Sequence, residues 1–195
     1  MAGWPPSALE EAHDGPVSQY ASREQGQVAQ DPPPLEALRE VALRPGAFFD
    51  SLPRTAAIGR SAVFALACIT VSTLLAWAAT GFSDALAEDL AIPFVLDLVF
   101  FAVYVMTTHA AVMLVLRRRT AGMPTTFRIV AYSQSSQLVN WIPIVGLAIG
   151  LAYGSVLAVI GIQKMHDAPL SRAISAVALP LVLGAVVAGV YLAVS

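Results

Sequence analysis

The chain has 195 residues, 57% of them hydrophobic and only 12% charged, with a mean hydropathy of +0.70 and a formal net charge of -2. Ordinary soluble domains run at roughly 45–50% apolar and about 25% charged residues, so a soluble globule is excluded, and the charge balance excludes a nucleic-acid-binding surface. The lone Cys68 lies in an apolar run, which rules out a disulfide framework or a cysteine metal site and leaves a small buried apolar side chain.

The first residues, MAGWPPSALEEAHDG, are polar, acidic and proline-bearing, unlike a secretory signal, so the N-terminus is expected to be retained. Residues 1–34 carry Pro5, Pro6, Pro16, Pro32, Pro33 and Pro34 among Gln, Glu, Ser and Gly. That composition offers too little apolar surface to offset ordering entropy, and it predicts a disordered, proline-rich cytoplasmic tail. Within it Asp31-Pro32-Pro33-Pro34 reads as a linker, or alternatively as bait for a polyproline-binding partner.

Residues 35–55 are predicted to be an interfacial amphipathic segment. Leu35, Leu38, Val41 and Ala42 recur at helical spacing until Arg44-Pro45-Gly46 interrupts them, and Ala47, Phe48, Phe49 and Leu52 cluster beside Arg44, Asp50 and Arg54. Rings beside guanidiniums suit a headgroup boundary, with the aromatics toward acyl chains. The alternative is a connector packed on cytoplasmic loops.

Residues 56–195 carry the membrane domain. A first span from about Ser61 to Thr80 is long enough for a ~30 Å hydrocarbon core, and Trp77 sits near its far end as interfacial aromatics do. The loop Gly81 to Ala91 brings Asp84, Glu88 and Asp89 and no basic residue. A second span, about Ile92 to Leu116, holds Asp97 and His109, roughly 18 Å apart along a helix and so unable to pair directly. Arg117-Arg118-Arg119 then end it as cytoplasmic topology determinants beside lipid headgroups. A third helix, about Thr125 to Trp141, and a fourth, about Pro143 to Ile162, form a tight hairpin that returns Lys164 and Arg172 to the cytoplasm. This keeps all 11 Lys and Arg on one side; a re-entrant pair would do the same. A last span, about Ala173 to Val194, includes Pro180. The expected fold is therefore all-α, a polytopic transmembrane helix bundle of five spans with its N-terminus cytoplasmic and its C-terminus outside.

Ser133, Ser136, Gln137 and Asn140 follow i, i+3, i+4, i+7 spacing and are expected on one face of the third helix. Polar side chains at membrane depth face other helices or a cavity, so this face is either interhelical glue or a ligand-contacting groove. Gly146, Gly150 and Gly154 repeat every four residues and predict close helix packing, internal or with a neighbouring subunit. Asp97 and His109 are candidates for proton relay or ion coordination, or else are anchored by bundle hydrogen bonds. The other histidines are His13 in the tail and His166 in a loop, a set that points to no metal site and no cofactor. HExxH, GxSxG, a Walker A lysine, a dinucleotide loop and paired intramembrane aspartates are all missing from the sequence, which argues against an enzyme.

The order Pro45, Phe48-Phe49, Leu52, then Thr126-Phe127, Ala131-Tyr132, Ile142-Pro143-Ile144-Val145-Gly146, Gly161-Ile162, His166, Arg172-Ala173 and Pro180 resembles the bacterial branch of the Yip1 family of Rab-interacting membrane proteins. The resemblance covers residues 35–195 and implies five spans with a cytoplasmic N-terminus. Eukaryotic members are implied to bind prenylated small GTPases, but their Asp-Leu-Tyr-Gly-Pro signature has no counterpart here, so GTPase binding is not carried over. The expected function is a non-enzymatic multi-pass protein of the inner or plasma membrane that organises lipid or partners, as a homo-oligomer or with another membrane protein. The alternative is a small transporter or channel for an ion, lipid or metabolite that uses the polar face with Asp97 and His109.

Overall fold

A computed structural model describes residues 31–53, 57–82, 85, 87–117, 120–143 and 145–194, with side chains to Val186. Among the described residues every regular element is helical. Two short helices, α1 (Pro34–Leu43) and α2 (Pro45–Ser51), each open on a proline, whose missing N–H costs nothing in a first helical turn. Arg44, at φ -143° and ψ 58°, breaks the chain between them. Four long helices follow in α3 (Gly59–Ala79), α4 (Ile92–Leu116), α6 (Val145–Met165) and α7 (Leu170–Val194). Part of the expected acidic loop is a π-helical turn, Ala87–Ala91, that runs straight into α4.

Between α4 and α6 lies a composite element. An α-helical half, α5 (Met123–Ser133), is entered through Gly122 at φ +89°, a backbone conformation that glycine adopts without strain. It continues as a 3-10 helix, Gln134–Val139. Eleven α residues at ~1.5 Å and six 3-10 residues at ~2.0 Å give ~28 Å of helical path. The 3-10 half thus stretches a short sequence over nearly the length of a span.

Three helices, Gly59–Ala79, Glu88–Leu116 and Val145–Met165, are long and apolar enough to cross a membrane, and Leu170–Val186 adds a shorter apolar helix. Only 6% of the most apolar window of Glu88–Leu116 is buried in the protein. Its exposed Val95, Met106, Met113 and Leu114 therefore belong against lipid.

The bundle is packed unevenly along its length. The core gathers around Tyr132, which meets the ring of Phe48 edge-on at 4.8 Å and that of Phe64 at 5.0 Å. It draws Cys68 from α3, Val112 and Leu116 from the end of α4, Leu157, Ile162 and Met165 from the end of α6, and Ala173, Ala176 and Val177 from the start of α7. All of these lie toward the end of the bundle that carries Arg117, Lys164 and His166.

Phe48 and Phe49 are each 1% exposed, inside this core rather than turned toward acyl chains. Buried Phe48 and Phe49 dock α2 on α6, while Ala37 and Val41 of α1 are buried where it packs on α2, α3, α5 and the 3-10 helix. The Tyr153 hydroxyl donates to the carbonyl of Ala42 at 2.9 Å, and Lys164 pairs with Asp50 at 2.7 Å. Those two anchors lie roughly 16 Å apart along α6. The expected tail also ends earlier than its proline content indicated. Asp31 is 2% exposed and buried in the bundle, and Pro34 is already helical; residues 1–30 lie outside the described residues.

Candidate functional site

The change from α to 3-10 winding starts where Ser133, Gln134, Ser135 and Ser136 follow one another. Ser133 Oγ donates to the carbonyl of Ile129 at 2.9 Å and Ser135 Oγ to that of Tyr132 at 2.9 Å, local bonds that compete with regular α winding. In a 3-10 helix residues three apart eclipse. Ser133 and Ser136 therefore form one ridge, and Gln134, Gln137 and Asn140 a second beside it. The α-helical spacing used on the sequence gave one face and missed Gln134.

Gly146, Gly150 and Gly154 lie where this element crosses α6. A Cβ at Gly146 would overlap the backbone oxygen of Val139, one at Gly150 would overlap Asn140 Oδ1, and one at Gly154 would come within 2.6 Å of Ser136 Oγ. Val139, Asn140 and Ser136 of the same chain fill the stripe.

Beside the packed core α4, the composite element, α6 and α7 line a cavity of about 730 Å³. Asp97, Tyr104 and Thr107 line it from α4, and Ser133, Gln134, Ser136, Gln137 and Asn140 from the composite element. Gly150, Gly154 and Ser155 of α6 and Pro180, Leu181 and Gly184 of α7 complete the polar and narrow parts. Phe100, Val103, Leu147, Leu151 and Leu183 supply apolar wall. Such a volume falls within the ~300–1,000 Å³ of small-molecule sites.

Two consecutive residues of α3 fix one end of this cavity. Ser72 Oγ donates to the carbonyl of Gln137 at 2.9 Å, and Thr73 Oγ1 donates to Asp97 Oδ2 at 3.3 Å. Adjacent residues hold both partners, so the Asp97 carboxylate and the Gln137 turn of the 3-10 helix sit at the same level of the bundle.

His109 is not part of this site. Its Nδ1 lies 3.1 Å from Thr126 Oγ1, which is 3.2 Å from Nε2 of His166, while His166 Nδ1 accepts the Ala121 N–H at 3.0 Å. An accepting Nδ1 puts the His166 proton on Nε2, so His166 donates to Thr126 and the threonine hydroxyl can donate to His109. Burial, followed by the nearby His109, lowers the His166 pKa to about 4 and keeps the ring neutral. Distance in sequence hid this cluster. Of the expected topology residues, Lys164 pairs with Asp50, Arg117 caps α4 at φ +58°, and Arg172 is exposed in the first turn of α7. Arg118 and Arg119 lie outside the described residues.

A buried ion pair with no local sequence pattern lies on the other side of Tyr132. Arg128 and Asp31 form an ion pair with each side chain 1% exposed. Arg128 Nε donates to Asp31 Oδ2 at 3.2 Å, Nη2 donates to Oδ1 and Nη1 to the carbonyl of Pro53, while the Tyr132 hydroxyl donates to Asp31 Oδ2 at 2.8 Å. Arg60 holds the Asp31 carbonyl. One signal was available: an arginine one helical turn before a tyrosine in an apolar segment needs a buried acceptor.

Compared with known families, the chain matches the Yip1 domain over residues 39–191. Neither the curated proteins nor the solved structures gave a match.

Proposed function

Because this chain belongs to the Yip1 domain family, whose helices contact the lipid bilayer, we propose that it is a non-enzymatic multi-pass protein that organises membrane lipid by holding an amphiphilic molecule between its helices. The observation that carries this reading is the cavity of about 730 Å³, polar along the composite element and at Asp97, and walled by Phe100, Val103, Leu147, Leu151 and Leu183 of α4, α6 and α7. A soluble metabolite would leave the apolar wall unsatisfied, and a bare hydrocarbon would leave the amides of Gln134, Gln137 and Asn140 without partners. The lining consists of hydroxyls, amides and one carboxylate, groups that hold a ligand without a histidine to activate a nucleophile among the described lining residues.

The same proposal takes the bundle as five spans of the inner or plasma membrane, with N inside and C outside. Its support is that Arg117, Lys164 and Arg172 lie at one end and the polar-lined cavity toward the other. Transport is the second reading, favoured by the presence of Asp97 in the lining; it proceeds without His109, which belongs to the packed end.

The test is photocrosslinking of the full chain in native-lipid nanodiscs with a diazirine-bearing fatty alcohol. Adducts are expected on peptides containing Phe100 to Thr107, Ser133 to Asn140 and Leu181 to Gly184. Substituting Gly184, whose Cβ would meet nothing within 4 Å, with leucine should fill the space and remove them. Adducts confined to outward positions such as Val95 and Leu114, unchanged by Gly184→Leu, would overturn the reading. For the transport alternative, liposomes should pass the alcohol between leaflets, and Asp97→Asn should slow that flux.

A further inference from the structure

The lining of the groove has a sign. Among its described residues the single charged group is the carboxylate of Asp97, and lysine, arginine and histidine do not contribute. The Thr73 hydroxyl lies 3.3 Å from Oδ2 and shares its one proton between that oxygen and the Ile69 carbonyl at 2.9 Å, so the carboxylate of this lining residue keeps acceptor capacity for an occupant. The Gln137 carbonyl nearby is already engaged by Ser72, so the carboxylate and the side-chain amide of Gln137 are what this end presents to an occupant.

A carboxylate at membrane depth is costly unless it meets a positive charge or a proton. The lining supplies no protein cation, so an occupant that brings one removes the cost, whereas an occupant with a phosphate or carboxylate head would add a second unpaired anion at the same level. From Asp97 to Thr107 the lining continues for ~15 Å along α4, with Phe100 and Val103 facing the same space as Leu147, Leu151 and Leu183. That is an apolar channel leading away from a single anchored negative charge. A compact inorganic cation would use the carboxylate and leave the wall empty; a single-chain amine uses both.

We propose that the groove is selective for single-chain amphiphiles with a protonated amine head, the ammonium seated on Asp97 and the chain along α4 and α7. This rests on the reading of the groove as an amphiphile site and adds the chemistry of the head. Seating of the ammonium forms a charge-assisted hydrogen bond to the Asp97 carboxylate, and its remaining N–H groups turn to the Gln137 side-chain amide; the Asn140 oxygen is buried against Gly150 and takes no part. A chain amine of ordinary basicity, near that of lysine at about 10.4, is charged at neutral pH.

The experiment is native mass spectrometry of the full chain released from detergent after equilibration with octadecylamine, octadecanol or octadecanoate as separate probes at neutral pH. Octadecylamine is expected to be retained at least about tenfold better than octadecanoate, with octadecanol between them. Asp97→Asn, which keeps an acceptor for Thr73, should erase the amine preference by bringing octadecylamine retention down to that of octadecanol. Gly184→Leu should lower retention of all three. Equal retention of the three probes, or an amine preference that survives Asp97→Asn, would overturn the head-group assignment while the groove itself stands. If none of the probes is retained by the unaltered chain, the amphiphile reading falls with it. An octadecanoate preference would mean that the carboxylate carries a proton in place of a cation and would refute the proposal directly.

Discussion

The Asp31–Arg128 pair permits a quantitative test of how the N-terminal segment is held. Replacing Asp31 with asparagine removes the charge but little volume, and it leaves a guanidinium that is 1% exposed facing a neutral amide. Two charge-assisted bonds, from Nε and Nη2, are weakened, while the bond from Nη1 to the Pro53 carbonyl persists. Breaking one partner of a buried pair costs about 3–5 kcal/mol. The surviving Pro53 contact and the acceptor still offered to Tyr132 place Asp31→Asn near the lower figure, about 3 kcal/mol. Arg128→Met strands the carboxylate with the Tyr132 hydroxyl and belongs in the same range. The double variant removes both charges, so it should be more stable than the sum of the singles by about 2 kcal/mol or more. Reversible unfolding by SDS in mixed micelles, followed by circular dichroism, gives all three values. Single variants within about 0.5 kcal/mol of the parent, or a double variant equal to the sum, would refute the account.

Gly146→Ala places a Cβ into the backbone oxygen of Val139, which cannot swing aside, and should cost about 1–3 kcal/mol. Gly59→Ala, whose Cβ meets nothing within 4 Å, should be neutral or stabilising by up to about 1 kcal/mol in the same unfolding assay. His166 is held neutral with its pKa lowered from 6.5 to about 4, so the unfolded chain binds the extra proton between those values. Stability should be complete above pH 6.5 and fall as pH drops toward about 4, by at most about 3 kcal/mol, with no further loss from this group below that. His166→Asn should flatten that slope; an unchanged slope would assign it to another group.

The positions of α3, α4, α6 and α7 were legible because each is a run of apolar residues long enough for a membrane, bounded by glycine, proline or charge. Packing partners were not legible. The burial of Phe48 and Phe49 depends on α6 offering Gly161, where a Cβ would meet Ile129 at 2.6 Å and Phe49 at 3.2 Å. No local pattern around the phenylalanines records that. Asp31 lies 97 residues from Arg128, and its neighbours are prolines, so composition assigns it to the tail although Arg128, Tyr132 and Arg60 together hold it. His109 and His166 meet only through Thr126, on a third helix. For the polar face the residues were readable and the winding was not: serines bonding back to carbonyls turn an α-helical stripe into two adjacent ridges and bring in Gln134.

A tightly packed end and a hollow end on one bundle follow from where the small residues lie. The glycine stripe draws the first half of α6 onto the 3-10 helix, so on that side the two backbones nearly touch. Contacts between α4 and α7 close the opposite wall, which leaves the space between the two pairs to be filled by side chains. Toward the Lys164 end Ile129, Tyr132, Leu157 and Ile162 are large enough, with Phe48 and Phe49 inserted from α2. Toward the other end Gly150 and Gly154 are taken up by their contact with Asn140 and Ser136, and Gly184, where a Cβ would meet nothing within 4 Å, puts no side chain into the gap. Pro180 marks the boundary on α7. Ala173, Ala176 and Val177 before it are in the core; Leu181, Leu183 and Gly184 after it line the cavity. Having no N–H, Pro180 also leaves the Ala176 carbonyl without its usual donor, which loosens the helix at the boundary. A bundle that only had to be stable would carry larger residues at Gly184 and beside Asp97. The hollow is a consequence of sequence, and the carboxylate held inside it gives the space a chemical preference that packing alone does not require.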